Sequence, residues 1–329
     1  MTPVIGAAAA LGSAAIWSVS STLLTQSVRA FGSRQINIFK STVAGVLFLL
    51  TVVLAFGGGP PTLGGASTAW FAVSGVIGLA IGDTCYLGSL RHLGPTTALV
   101  LYQTSSLFTM ALGFAALDER PSIGNLAGAL LVAGGVSLAT WSRSKGPISR
   151  PRGATVRGMA FDPSTFERRD VKTGILLGLG SAASQAVGVV LNRRAFELLD
   201  AAAPALRTAE GVAALERPMF AAMLRLLAAT AAMLLLAVVR RQPLDDTAAL
   251  RSREGWRLTL IPTVLGTYLG ILGMQVAVGS LPAGIAATLL ATPPIFSIPV
   301  AWFMLGERPT ATTVIGTVVA TGGVFLVST

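Results

Sequence analysis

Charge is scarce in this chain. Only 12% of its 329 residues are Asp, Glu, Lys or Arg, about half the share usual in soluble domains. Cysteine occurs once, as Cys85, and histidine once, as His92. One cysteine excludes an intrachain disulfide and a multi-cysteine zinc site. One histidine and one acid inside an apolar run do not make the cluster a membrane-embedded enzyme needs, so neither a catalytic centre nor a cofactor is expected. No Gly-x-x-x-x-Gly-Lys-[Ser/Thr] run occurs, which speaks against a nucleotide-driven pump. No basic stretch precedes the first apolar run, Val4 to Ser27, whose length suits a membrane span and not a cleaved signal.

Apolar sequence takes the place of charge. Hydrophobic residues make up 53% of the chain and its mean hydropathy is +0.72. A soluble protein of this size has no interior large enough for that much apolar surface, so the bilayer is the main solvent. The net charge of +10 would suggest nucleic acid in a soluble chain. Here the basic residues lie between apolar runs, where topology explains them.

The runs predict ten transmembrane helices, near 4–27, 36–56, 68–90, 95–117, 122–141, 173–191, 219–239, 258–278, 282–305 and 310–327. Each reaches the roughly 20 residues that cross the hydrocarbon layer. Turn chemistry separates them: Gly57-Gly58-Gly59-Pro60-Pro61, Leu93-Gly94-Pro95, Arg120-Pro121, Leu281-Pro282 and Arg308-Pro309. The longest polar stretch, 142–172, reads as a linker. The segment 192–217 reads as a second loop that could hold a short surface helix.

The two halves repeat. At an offset of 188, Leu117-Asp118-Glu119-Arg120-Pro121 meets Leu305-Gly306-Glu307-Arg308-Pro309. At that offset Gly78 and Gly82 meet Gly266 and Gly270, Thr104 meets Thr292, and Gly134-Gly135 meets Gly322-Gly323. Leu11-Gly12-Ser13-Ala14-Ala15 recurs as Leu179-Gly180-Ser181-Ala182-Ala183 at an offset of 168, and Lys40 falls opposite Arg225. The boundaries expected are therefore 1–141 for the first five-helix repeat, 142–172 for the linker and 173–329 for the second. Five spans is an odd number, so the second copy enters the membrane from the opposite side. That is the inverted repeat of many secondary transporters, with the site at the repeat interface. Lys and Arg number 17 in the loops on one side and 5 on the other. The richer side should be cytoplasmic, which puts both termini outside.

The residues now on the page carry a family resemblance. Two five-span halves, each with an acid-Arg-Pro corner (Glu119-Arg120-Pro121 and Glu307-Arg308-Pro309) followed by a Gly-Gly span, resemble the EamA-type transporters of the drug/metabolite transporter superfamily. A basic residue early in the second span of each half, Lys40 and Arg225, fits as well. The resemblance implies a basket-shaped helical bundle with a central cavity. It implies export or exchange of amino acids, other metabolites or amphipathic compounds, often coupled to protons. It differs at Asp118, where members often carry Gly, and its members are often drawn with both termini cytoplasmic.

Several residues are candidates for the transport site. Asp83 is the one acid well inside a span; at that depth it must face a cavity or a partner, or be protonated. It could couple protons or hold a substrate amine, or simply pair with a base such as Arg91. Tyr86 lies on its face. Lys40 and Arg225 can snorkel to the interface, or hold a substrate carboxylate. Trp17, in mid-span, could be a cavity wall, and Gln185 lies in the matching part of the second half. Tyr102 and Gln103 sit in a polar patch of span 4, and Tyr268 and Gln275 share a face of span 8. Pro293, Pro294 and Pro299 free the carbonyls of Leu289, Leu290 and Ile295, which makes span 9 a hinge or a packed kink. Glu119 and Glu307 read as structural acids favoring the start of the next helix. The reading is a secondary transporter, an exporter of small metabolites by alternating access, in a bacterial inner membrane. Its partners are the lipid bilayer, a small-molecule substrate and protons, with no nucleic acid; the protein is a monomer or a homodimer. The competing class is a passive channel, for which no charged ring or filter-like repeat is seen.

Overall fold

The computed structural model describes residues 2–57, 65–144, 171–204, 211–240, 253–293, 295–296 and 310–328. Among the described residues there is helix and no strand. With no water to satisfy backbone groups in hydrocarbon, helices that close every bond internally are what such apolar runs must form. The elements are α1 (Pro3–Phe31), α2 (Ser33–Phe56), α3 (Gly65–Gly75), α4 (Asp83–Gln103), α5 (Ser105–Ala116), α6 (Ile123–Ser144), α7 (Val171–Ala202), α8 (Glu216–Val239), α9 (Arg253–Pro262), α10 (Gly270–Ser280), α11 (Ala283–Leu290) and α12 (Ala311–Ser328). A short 3-10 turn, Gly211–Leu215, leads into α8. Two π-helical segments, Val76–Gly82 and Thr263–Leu269, join α3 to α4 and α9 to α10.

Six stretches are long and apolar enough to cross a bilayer: Pro3–Ser21, Ser33–Phe56, Gly65–Ser89, Val171–Ala202, Gly211–Val239 and Thr259–Ser280. Ile123–Leu138 and Val314–Leu326 are shorter apolar helices. The expected ninth span runs past residue 296 into residues outside the description. Large apolar side chains point outward, among them Leu54, Leu176, Val239 and Phe325. A soluble monomer does not expose apolar surface on this scale; a lipid-facing bundle does. The fold is that of a multi-pass membrane protein.

Two stretches expected as turn or loop are helical. The helix continues through Gly94-Pro95, where a turn was expected. Proline's φ is helical and it removes only one N–H; spanning helices accommodate that loss. The segment after 191 is not a loop, because α7 runs on to Ala202. Glu197 bridges Arg193 and Arg194 one turn away, and no proline interrupts before Pro204. At the other end of the scale, α2 stops where expected, on Gly57 with φ 74°, a left-handed residue that only glycine adopts freely.

Packing runs between the halves. The principal contacts join α1 to α10, α2 to α8, α3 and α4 to α7, α5 to α11, and α6 to α12. In the last pair a Cβ on Gly135 would lie 2.4 Å from the Ala320 nitrogen, and one on Gly323 2.6 Å from the Gly128 carbonyl. The backbones touch there because neither residue has a side chain, the usual device of membrane helix pairs. Gly134 and Gly322, their neighbours in sequence, face open space.

Candidate functional site

The two π-segments fall at nearly the same place in each half, since 76–82 shifted by 188 becomes 264–270. A π-turn takes its carbonyls out of the regular ladder, and such turns are frequent at functional sites. Each is met by a helix of the opposite half. In the C-terminal half, Ser20 donates to the Pro262 carbonyl at 2.8 Å and the Trp17 indole N–H to the Gly266 carbonyl at 2.7 Å. Bare glycines make the room: a Cβ on Gly270 would fall on the Trp17 Nε1. In the N-terminal half, Asn37, of that same half, donates to the Leu79 carbonyl at 3.2 Å. There Gln185, the sequence counterpart of Trp17, stands with its Oε1 3.1 Å from the point a Gly78 Cβ would occupy.

Around this second contact lies a polar cluster made by α2, α4, α7, α8 and α10. Lys40 donates to Asp83 at 2.5 Å. The Gln185 amide donates to the Tyr102 hydroxyl at 2.6 Å, and the Tyr102 ring lies 4.9 Å from the Tyr86 ring. Arg225 donates through Nη1 to Gln275 Oε1 at 2.8 Å, and Gln275 and Asn192 bond each other through both amides. Asp83 lies within coulombic reach of Tyr86, Tyr102 and Arg225. Arg225, Gln275 and Asn192 are completely buried. Not every group is satisfied: Gln185 Oε1, Ser181 Oγ, Gln103 Nε2 and the Nε and Nη2 of Arg225 have no hydrogen-bond partner. Buried polar atoms are rarely left so.

The structure therefore brings together Lys40, Asp83, Tyr86, Tyr102, Gln185, Arg225 and Gln275. Lys40 does not snorkel; it pairs with Asp83, and the side chain of Arg91 lies outside the described residues. Trp17 stands at the opposite π-segment. Tyr268 is separate from Gln275: its hydroxyl meets Thr51 at 2.7 Å and its ring meets Phe48 at 4.4 Å. Gln103 is buried at the end of α4. Pro293 follows the end of α11, and the carbonyl of Leu289, which it cannot serve, accepts from the Thr292 hydroxyl at 2.7 Å. Thr104, the repeat counterpart of Thr292, does the same to Leu101 at 2.6 Å. Pro294 and Pro299 lie outside the described residues. Asn37 and Asn192 were missed by sequence reasoning, Asn192 because it fell just past an expected span end. Polar spacing along α7, with Ser181, Gln185 and Asn192 on one face, is the signal that would have found it.

The comparisons with known proteins agree with this architecture. A family model described as "EamA-like transporter family" matches residues 4–141 and again 172–329. No curated protein matches the chain. A solved structure described only as "Crystal structure of protein" superposes with a TM-score of 0.68 at 16% identity, covering 98% of this chain and 95% of that one. At that identity the likeness shows the fold alone.

Proposed function

The chain belongs to the EamA-like transporter family, and from that premise we propose that it exports small metabolites, such as amino acids or amphipathic compounds, by alternating access. The family makes it a membrane transporter; direction, substrate and coupling are our reading. Residues 1–141 and 173–329 act as two inverted five-helix repeats across the 142–172 linker, and one rocks against the other around a central site. The observation that carries the reading is the buried cluster of Lys40, Asp83, Tyr102, Gln185 and Arg225 between the halves. A bundle meant only to be stable has no use for unmet donors at that depth. The threonine-capped breaks at Thr104 and Thr292, with Pro293 beside the second, serve as hinges.

Asp83 is the proton-coupling group in this scheme. Protonation would discharge it and release Lys40, changing the charge of the cluster once per cycle. The test is efflux of labelled amino acids and amphipathic drugs from cells holding the wild type or Asp83→Asn, with and without a proton gradient. Export that is lost both in Asp83→Asn and on gradient collapse is expected. Export that survives both removes proton coupling from the scheme.

A further inference from the structure

Three charges lie in the central cluster: Lys40, Asp83 and Arg225. Asp83 is held by Lys40 at 2.5 Å, so that pair is neutral. Arg225 is completely buried and forms no ion pair among the described residues. Its one hydrogen bond runs from Nη1 to a neutral amide oxygen, Gln275 Oε1, at 2.8 Å. Among the described residues the cluster of Lys40, Asp83 and Arg225 thus carries a net positive charge, with no carboxylate bonded to Arg225. A buried charge without a counter-ion is among the most costly features a protein can keep.

The donors left over have a shape. Nε and Nη2 are the two unpartnered nitrogens, and they form one edge of the guanidinium plane. That edge offers two parallel N–H groups, the fork that fits both oxygens of one carboxylate. Gly78 faces it without a side chain: a Cβ there would lie 3.3 Å from Nη2 and 3.1 Å from the unpartnered Gln185 Oε1. A free acceptor therefore stands beside the free fork.

We infer that the Nε/Nη2 edge of Arg225 is a carboxylate subsite, and that the protein's substrates are small organic acids held there as anions. Gln185 Oε1 takes an N–H or O–H of the same molecule. The inference rests on the transport reading for the word substrate; the binding chemistry stands on the cluster itself.

The test uses the full chain purified in detergent and three matched pairs of probes: acetate and acetamide, benzoate and benzamide, phenylalanine and phenylalaninamide. At least one acid is expected to raise the melting temperature by several degrees while its amide does not. Arg225→Met should remove that difference and, without ligand, melt no lower than the wild type, since it discards an unpaired charge. Gln185→Glu places a carboxylate beside the fork, so it should abolish the acid effect even if Arg225→Met does not fold. Acids and amides acting alike in all pairs, or an acid effect that persists in both variants, would overturn the subsite. Counterflow of the bound acid in liposomes separates the two readings. Acid-specific binding without exchange sinks transport and leaves the subsite standing. Exchange of acid and amide at equal rates sinks the subsite and leaves transport standing.

Discussion

The indole N–H of Trp17 donates to the carbonyl of Gly266 at 2.7 Å, across 249 positions of sequence. A mid-span tryptophan is thereby accounted for: its one polar atom is satisfied by a π-segment carbonyl of the opposite half. The same contact in the other half is looser, because Gln185 leaves its Oε1 unpartnered beside Gly78.

This asymmetry predicts a contrast between two glycine substitutions. A Cβ on Gly270 would meet the Trp17 indole, a rigid group with nowhere to go. Gly270→Ala should therefore cost about 1–3 kcal/mol, the usual range for overpacking, and shift tryptophan fluorescence. Gly78→Ala meets the ends of Gln185 and Arg225 at 3.1 and 3.3 Å, and the Gly188 Cα at an ordinary contact distance of 3.4 Å. It should cost less than about 1 kcal/mol in stability, since flexible ends can yield, yet lower transport several-fold. Equal melting temperatures for the two variants would contradict the argument.

Lys40 and Asp83 predict a double-mutant cycle. Their side chains are 9% and 18% exposed. Removing one partner of such a pair strands a charge, at about 3–5 kcal/mol, while removing both is often near neutral. Lys40→Met and Asp83→Asn should each destabilise the protein, and the double variant should be more stable than either. Unfolding in detergent measures all three. Simple addition of the two single effects would mean that the charges do not interact.

How much of this was legible beforehand depends on the range of the interaction. Hydropathy placed the long apolar helices α1, α2, α7 and α8, because burial in lipid is a local demand on each run of residues. The Gly-Gly pairs marked the repeat, but not that Gly135 and Gly323 would touch the opposite backbone while Gly134 and Gly322 face outward. Partners were harder. Lys40 and Asp83 are 43 positions apart, and nothing in either neighbourhood names the other; the base at hand in the sequence was Arg91. Gln275 could not be joined to Arg225 and Asn192 before α7, α8 and α10 of the second half were packed together. The helical register of α7 past residue 191 was hidden by its charges, which read as loop and serve as intrahelical ion pairs.

Asp118 carries a prediction of its own. It is the one non-glycine residue with positive φ among the described residues, at 53°, and its counterpart in the repeat is Gly306. A left-handed conformation costs an L-residue roughly 1–2 kcal/mol, against which glycine's extra freedom in the unfolded chain sets about 0.5–1 kcal/mol. Asp118→Gly should thus gain up to about 1 kcal/mol. Asp118→Val should lose stability, because a branched Cβ tolerates this region least. A valine variant as stable as the glycine variant would show that the backbone relaxes there.

Glu119 joins the halves in a way that its corner position conceals. Beside Arg120-Pro121 it looks like an acid at the start of its own next helix. Instead its carboxylate accepts the Ala283 N–H at 2.6 Å and reaches the Gly284 N–H at 3.4 Å. These are the first free amides of α11, whose own N-cap residue, Pro282, offers no side-chain acceptor. A helix start needs such acceptors, and a negative one is favored by the helix dipole. Gly113 lets the carboxylate lie there, since a Cβ on it would stand 2.7 Å from Glu119 Oε2. Glu119→Ala should cost about 1–2 kcal/mol, the range for a lost N-cap. Glu119→Gln keeps one acceptor oxygen without the charge and should cost roughly half as much. Gly113→Ala should act like Glu119→Ala, and the two should not add, because both remove the same contact. Additive losses would mean that Gly113 is small for some other neighbor and that the cap is not what fixes α5 against α11.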